Sequence, residues 1–361
     1  MILENKKILL ISPEAWGTNF VSKHNYAIEL SKNNKIYFLN PPSAEYSLEK
    51  LNQNLIIIDY RLFPRGLNRM PKKFRNFFNI LMIRKIKKFL EVSDFDIIWT
   101  FDPFRFQDLN LFKSPIMIYQ SVDIHYTSLE KEIVKSAQII FTSCDLIKVK
   151  LEKYNSNIYN IGHGISEKFL IKEISYRDVQ RKIKTCMMGN FQRKIDYEVL
   201  FTLIENNPEV EFHFIGPCDK SNLSKSSNYN QEIDHLKSYL NSFFHGPLKQ
   251  ELLIDQLFQM DIFLNFYTED ENPAARVNPH KILEFLATGK TVLSYYMDEY
   301  RDQEDLLVMA KNKTDIPMLF DNIINNINAY NDSNNMLRRR DFALQNAYGN
   351  KITYINSLLN M

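Results

Sequence analysis

The stretch Asn278-Pro279-His280-Lys281-Ile282-Leu283-Glu284-Phe285-Leu286-Ala287-Thr288-Gly289-Lys290 carries the densest chemistry in the chain. Pro279 suits a first helical turn and Gly289 a helix end, so the segment predicts a short helix followed by a strand. Lys281 and Glu284 are three residues apart and share one helix face. A carboxylate there accepts hydrogen bonds from two adjacent hydroxyls, such as those of a ribose, while the ammonium, His280 and the first free amides meet phosphate. A plain i,i+3 surface ion pair accounts for the same spacing equally well. A second stretch, Met187-Met188-Gly189-Asn190-Phe191-Gln192-Arg193-Lys194-Ile195-Asp196, runs from a strand through a Gly-containing loop toward a helix. Gly189, Asn190, Arg193 and Lys194 would cradle a diphosphate. The stretch matches neither the dinucleotide nor the Walker glycine pattern, and a simple strand-to-helix turn is the alternative. Asp123 and His125 follow the apolar run 116–119, where a base or a substrate-binding pair could stand. Trp16, Lys23 and His24 follow the first strand in the same way. For each of these taken alone, a turn-forming Asp or a satisfied core His is the simpler account.

Residues 65–90 have a different character. They include Lys72, Lys73, Arg75, Arg84, Lys85 and Lys88 with Phe77 and Phe78 interleaved, and no acidic residue. A cationic, aromatic-rich amphipathic helix suits an anionic membrane interface. The alternatives are a sheet-packed helix with a solvated basic face and, more weakly, a nucleic-acid surface; no nucleic-acid partner is expected.

Positioning these residues requires a large α/β scaffold. The 361 residues are 45% hydrophobic, which excludes a disordered tail or a small disulfide framework and fits two domains, since single cores stop growing near about 250–300 residues. Cys144, Cys186 and Cys218 are too few and too scattered for a zinc cluster or a disulfide set, and point to a reducing compartment. No run reaches the roughly 18–20 apolar residues of a membrane span, and the N-terminus reads as a strand rather than a leader. Residues 1–160 hold 23 Lys and Arg against 16 Asp and Glu, and the remainder 22 against 27, so a formal net charge of +2 conceals halves of +7 and −5. Short apolar runs alternate with helical patterns throughout, which predicts doubly wound parallel sheets with ligands beyond the carboxyl ends of their strands. The expected organisation is a first domain over 1–165, a linker over 166–184, a second domain over 185–335 and a C-terminal helix over 336–361 that returns to the first.

The run Pro279-x-Lys281-x-x-Glu284-Phe285-x-Ala287-x-Gly289-Lys290-x-Val292 resembles the ribose-binding segment of bacterial GT-B glycosyltransferases. The segments around Met188-Gly189-Asn190-Phe191, Asn207-Pro208-Glu209-Val210, Ile215-Gly216-Pro217, residues 119–123, residues 137–143 and Ile161-Gly162-His163-Gly164 are similar to the subgroup of teichuronic-acid and xanthan-type glucuronosyltransferases. The resemblance implies an α/β GT-B fold, two Rossmann-like domains facing a cleft with C-terminal helices packing back across the junction. It implies that Glu284 holds the ribose of a nucleotide-sugar donor, that Lys281, Arg193 and Lys194 meet its diphosphate, and that Asp123 is the base of an inverting transfer. No metal and no cofactor beyond the donor substrate are implied. The expected partners are a nucleotide sugar, a lipid-linked or polysaccharide acceptor and an anionic membrane surface at the cytoplasmic face. Many retaining relatives carry a second Glu where this chain has Arg276, which could instead pair with a donor uronate; Glu269, Asp270 or Glu271 could supply sugar contacts. A sugar-nucleotide epimerase and a non-catalytic membrane-binding module on the same scaffold are the alternatives.

Overall fold

Runs such as Ile8-Leu9-Leu10-Ile11 and Ile97-Ile98-Trp99 have no polar face, so they form strands covered on both sides. The computed structural model describes every residue except 1, 18–19, 62–63, 65, 175, 177–180, 192–194, 219–230, 268–279, 304 and 361. The chain divides into two compact units, Met1–Gly164 with Tyr348–Met361, and Ile165–Ala347.

The first unit is built on eight strands: β1 (Lys7–Ile11), β2 (Lys35–Leu39), β3 (Ser47–Lys50), β4 (Leu55–Asp59), β5 (Ile97–Thr100), β6 (Ile116–Ser121), β7 (Ile139–Thr142) and β8 (Ile158–Asn160). Their order is β3-β4-β2-β1-β5-β6-β7-β8, parallel except that β3 runs antiparallel to β4. Helices α1 (Ser22–Leu30), α2 (Lys72–Phe89), α3 (Ser128–Ser136) and α4 (Asp145–Glu152) provide the cover. Sequence reasoning gave no strand at β3, because all four of its residues are exposed and Ser-Leu-Glu-Lys has no buried face to mark it; a short charged edge strand of this kind resists further pairing.

The second unit begins earlier than the sequence suggests. Residues 166–184, expected as a linker, contain α5 (Glu167–Ile171), whose Phe169 is buried in the second unit's core. Six parallel strands follow, β9 (Lys184–Met188), β10 (Glu211–Ile215), β11 (Ser242–Gly246), β12 (Ile262–Asn265), β13 (Thr291–Tyr295) and β14 (Val308–Ala310), in the order β11-β10-β9-β12-β13-β14. This is the Rossmann order, and its direction reverses between β9 and β12. Helices α6 (Tyr197–Asn206), α7 (Gln231–Ser238), α8 (Gln250–Leu257), α9 (Lys281–Ala287), α10 (Ile316–Asn325), α11 (Ile327–Tyr330) and α12 (Ser333–Gln345) complete it.

The expected return helix over 336–361 is two helices. In α12, Arg339 is buried and donates to the carbonyls of Gly289 (3.0 Å) and Tyr330 (2.9 Å), which ties that helix to the second unit. The break falls at Asn346, whose side-chain amide donates to the Phe342 carbonyl (2.8 Å) and ends the turn, as short amides do at helix ends. Only α13 (Tyr348–Leu359) belongs to the first unit. There Tyr348 packs edge-on against Tyr26 at 4.8 Å and Asn356 accepts from the Leu3 amide at 3.0 Å.

Candidate functional site

In the second unit, the residues singled out from sequence meet where the strand order reverses. Lys281 opens α9, whose Ile282, Leu283, Phe285 and Leu286 are buried, with Phe285 stacked on Phe263 of β12 at 4.3 Å. That packing fixes Lys281 over the end of β9. Its ammonium donates to the Met188 carbonyl at 2.8 Å and to the Tyr267 hydroxyl, and it lies 4.4 Å from the Tyr267 ring centroid. A Cβ on Gly189 would crowd the Tyr267 hydroxyl and stand 2.9 Å from the same ammonium, so any larger residue would displace the two side-chain ends that meet there. The Gly189 amide donates to the Ile215 carbonyl at 3.0 Å, and that of Gly216 to the Gly246 carbonyl at 2.9 Å. Three adjacent strands therefore end in glycines on one rim.

Glu284 lies one turn along α9 and is half-buried. Desolvation lifts its carboxyl to about 7, against the opposing pull of the Lys281 charge. At neutral pH it stands between acid and carboxylate, so hydroxyl donors that favour the charged form would draw it to the carboxylate side. His280 is exposed at the start of α9, and Asn190 is half-buried beside Gly189. Arg193, Lys194, Arg276, Glu269, Asp270 and Glu271 lie outside the described residues.

In the first unit, Asp123 is exposed on the loop after β6, with its carbonyl accepting from the Ser121 hydroxyl at 3.2 Å. His125 is half-buried, 5.8 Å edge-on from Phe104, and burial lowers its pKa. Beneath this loop Glu130 is buried and accepts from Tyr119 (2.8 Å), Ser121 (3.2 Å) and Lys150 (2.6 Å), while Lys150 also donates to the His125 carbonyl. Trp16 is half-buried and packs edge-on to Phe38 at 4.8 Å. Lys23 and His24 have structural work instead of exposed polar atoms. Lys23 is buried and ion-paired with Glu14. His24 is fully buried; its Nδ1 accepts from the Val21 amide at 3.2 Å, so its Nε2 carries the hydrogen donated to the Ala15 carbonyl at 3.1 Å. Burial pushes its pKa down to about 4, so the ring stays neutral.

The basic helix α2 divides its cations. Arg75, expected among the membrane-facing residues, is buried: it donates to the Met70 carbonyl (3.2 Å) and pairs with Glu132 of α3 (2.5 Å). Its position faces α3, and Glu132, 57 residues away, supplies the acid that the helix itself lacks. Lys72 lies 4.0 Å from the same carboxylate, and Phe78 is half-buried against Phe77. Lys73, Phe74, Phe77, Arg84, Lys85 and Lys88 are exposed, and at about 100° per residue they occupy a sector of roughly 120°. Among the described residues, no helix is long and apolar enough to cross a membrane.

No protein-family model matches the sequence, and no curated protein matches it. The fold has close structural counterparts. A sucrose-phosphate synthase from Thermosynechococcus elongatus superposes over 99% of this chain and 98% of its own, with a TM-score of 0.70 at 12% identity. HepE from Anabaena, solved with UDP-glucose, covers 99% and 100% with a TM-score of 0.67 at 11% identity. The lipopolysaccharide outer core galactosyltransferase WaaB covers 98% and 99%, with a TM-score of 0.64 at 14% identity. The fold is GT-B. Within the GT-B fold, sequence reasoning missed Tyr267, which caps Lys281, and the Glu130–Lys150 pair under the Asp123 loop. Tyr267 lies two residues beyond β12, and inspection of every strand's carboxyl end would have found it. Glu130 carried no signal, since an acid in the first turn of a helix reads as ordinary capping.

Proposed function

We propose that the protein is a glycosyltransferase of hexosyl or glucuronosyl type that works without a metal. It moves a sugar from a UDP-sugar to a lipid-linked or polysaccharide acceptor at the cytoplasmic face of a membrane. The observation that carries this reading is the meeting of Gly189, Lys281 and Glu284 at the strand-order reversal of the second unit. Ligands of such sheets bind there, and the fold is shared with a protein solved with UDP-glucose.

In this reading the Glu284 carboxylate accepts both ribose hydroxyls. An ammonium has three donors; two of Lys281's are placed on Met188 and Tyr267, and the third goes to the diphosphate. Arg193 and Lys194 add phosphate charge, and Arg276 pairs with a uronate where the donor carries one. Asp123 takes the proton of an acceptor hydroxyl, with Trp16 and His125 beside the acceptor. The freed oxygen attacks the anomeric carbon as its bond to the β-phosphate oxygen breaks, and UDP leaves with the electron pair. Lys281 offsets the charge that develops on the leaving group. A thermal-shift screen against UDP, GDP, ADP and TDP tests the donor half. UDP is expected to raise the melting temperature of the wild type and leave Lys281→Ala unmoved; no shift with any nucleotide would defeat the reading.

The membrane half rests on the exposed sector of α2, where each cation near an anionic surface contributes about 1 kcal/mol. Co-sedimentation with vesicles containing anionic lipid should weaken roughly a hundredfold or more when Lys73, Arg84, Lys85 and Lys88 are neutralised together. Equal binding to neutral vesicles, or binding indifferent to those four changes, contradicts a membrane role.

A further inference from the structure

Away from the residues assigned above, the first unit holds a cavity of about 120 Å³ under the inner face of α2. Tyr60, which follows β4, Asn79 and Met82 of α2, and Phe104, Phe106 and Gln107, which follow β5, contribute most of its wall. The space is smaller than the roughly 150 Å³ that takes a benzene ring and opens to solvent, so it receives one face of a six-membered ring rather than enclosing it.

Two amides in the wall are out of character with the apolar remainder. Asn79 is 1% exposed, and neither its nitrogen nor its oxygen has a hydrogen-bond partner among the described residues. Gln107, equally buried, spends its nitrogen on the Asn68 side chain (2.8 Å) and the Phe104 carbonyl (2.6 Å), leaving its Oε1 unpartnered. A buried amide without partners destabilises a fold, and a leucine of similar shape would avoid the penalty. An apolar occupant would leave that penalty in place, whereas a ring bearing hydroxyls removes it by donating to the two amide oxygens and accepting from the Asn79 nitrogen. The C–H faces of such a ring suit Tyr60, Phe104 and Phe106. Arg105 also lines the cavity, but its guanidinium is committed to Asp102, to the Asn40 carbonyl (2.8 Å) and to the Tyr60 hydroxyl (3.0 Å), so it has little charge to offer an anion.

We propose that this cavity binds one neutral pyranose ring, read by Asn79 and Gln107. That the ring belongs to the transfer acceptor rests on the function proposed above; the sugar site itself does not. Saturation-transfer NMR on the full chain tests it with glucose, galactose, mannose and N-acetylglucosamine, using glucuronate as the anionic control and cyclohexanol as the apolar one. At least one neutral sugar should receive saturation on its ring protons while glucuronate does not. Asn79→Leu and Gln107→Leu, each checked for folding by circular dichroism, should weaken that sugar about tenfold, the net worth of roughly one hydrogen bond. UDP-glucose binding, which reports on the other unit, should be untouched by either change. Silence from every neutral sugar overturns the proposal, as does a signal that survives both replacements or cyclohexanol binding as well as any sugar. Sugar binding without UDP-glucose binding would leave this site standing and sink the donor reading instead.

Discussion

Replacing Gly216 by alanine is expected to destabilise the second unit by about 3–5 kcal/mol, near the upper end for a single substitution. Gly216 has a φ of 137°, a region closed to other residues, and a Cβ there would overlap the carbonyl oxygen of Gly189. That oxygen cannot retreat cheaply, because its own residue is bonded through the amide to Ile215 and lies under Lys281. Relief would come from pulling the ends of β9 and β10 apart, so the lost stability and a lost ligand site have one cause. Gly246 is the control. Its φ of 65° is left-handed, yet nothing lies within 4 Å of its missing Cβ, so alanine there should cost only about 1–2 kcal/mol. Both tryptophans, Trp16 and Trp99, lie in the first unit. Urea unfolding followed by far-ultraviolet dichroism should therefore register the Gly216→Ala change more strongly than tryptophan fluorescence does. Equal effects of the two glycine replacements would mean that the rim is looser than the contacts imply.

The second large effect has the opposite sign for stability. Glu284→Gln should stabilise the protein above pH 7 and impair nucleotide-sugar binding. With its carboxyl at about 7 in the fold, against an ordinary value near 4.5, the native state holds a proton that the unfolded chain has already released. Stability therefore falls as pH rises through that window, and the penalty is complete above 7. Glutamine removes it. Because Glu284 keeps some solvent contact, the gain at pH 8 should be about 1–2 kcal/mol, below the full linkage value. The gain should vanish at pH 4, where wild type and variant are both neutral. UDP-glucose binding should weaken roughly tenfold, since hydrogen bonds to a charged acceptor are the stronger kind. Denaturation midpoints that differ equally at pH 4 and pH 8 would show that the carboxylate is not the source. A residue that opposes stability in the empty protein is what a site held ready for a ligand requires.

The sequence exposed the parts of this molecule whose signals are local. Uniformly apolar runs marked the buried strands, and Gly289 marked the end of α9. Three-residue spacing placed Lys281 and Glu284 on one face. What depends on distant chain segments stayed hidden. Lys281 reaches the Met188 carbonyl only because β12 lies beside β9, and Arg75 is a core ion pair only because α3 brings Glu132 to it. His24 resembled an available imidazole until the fold wrapped Ala15 and Val21 around it. The linker was misplaced because α5 is too short and polar to show a periodicity, although Phe169 and Leu170 pack it on the second unit's core.

Calorimetric titration of UDP-glucose at pH 7, in two buffers of different ionisation heat, tests the donor site most directly. Saturable one-to-one binding is predicted, with release of a fraction of a proton as ribose hydroxyls favour the Glu284 carboxylate; Glu284→Gln should bind more weakly and release none. UDP-glucose itself does not titrate near that pH, so the proton reports the protein. No binding heat, or binding with identical proton release in the variant, would contradict the assignment of a nucleotide-sugar site to the rim formed by Gly189, Lys281 and Glu284.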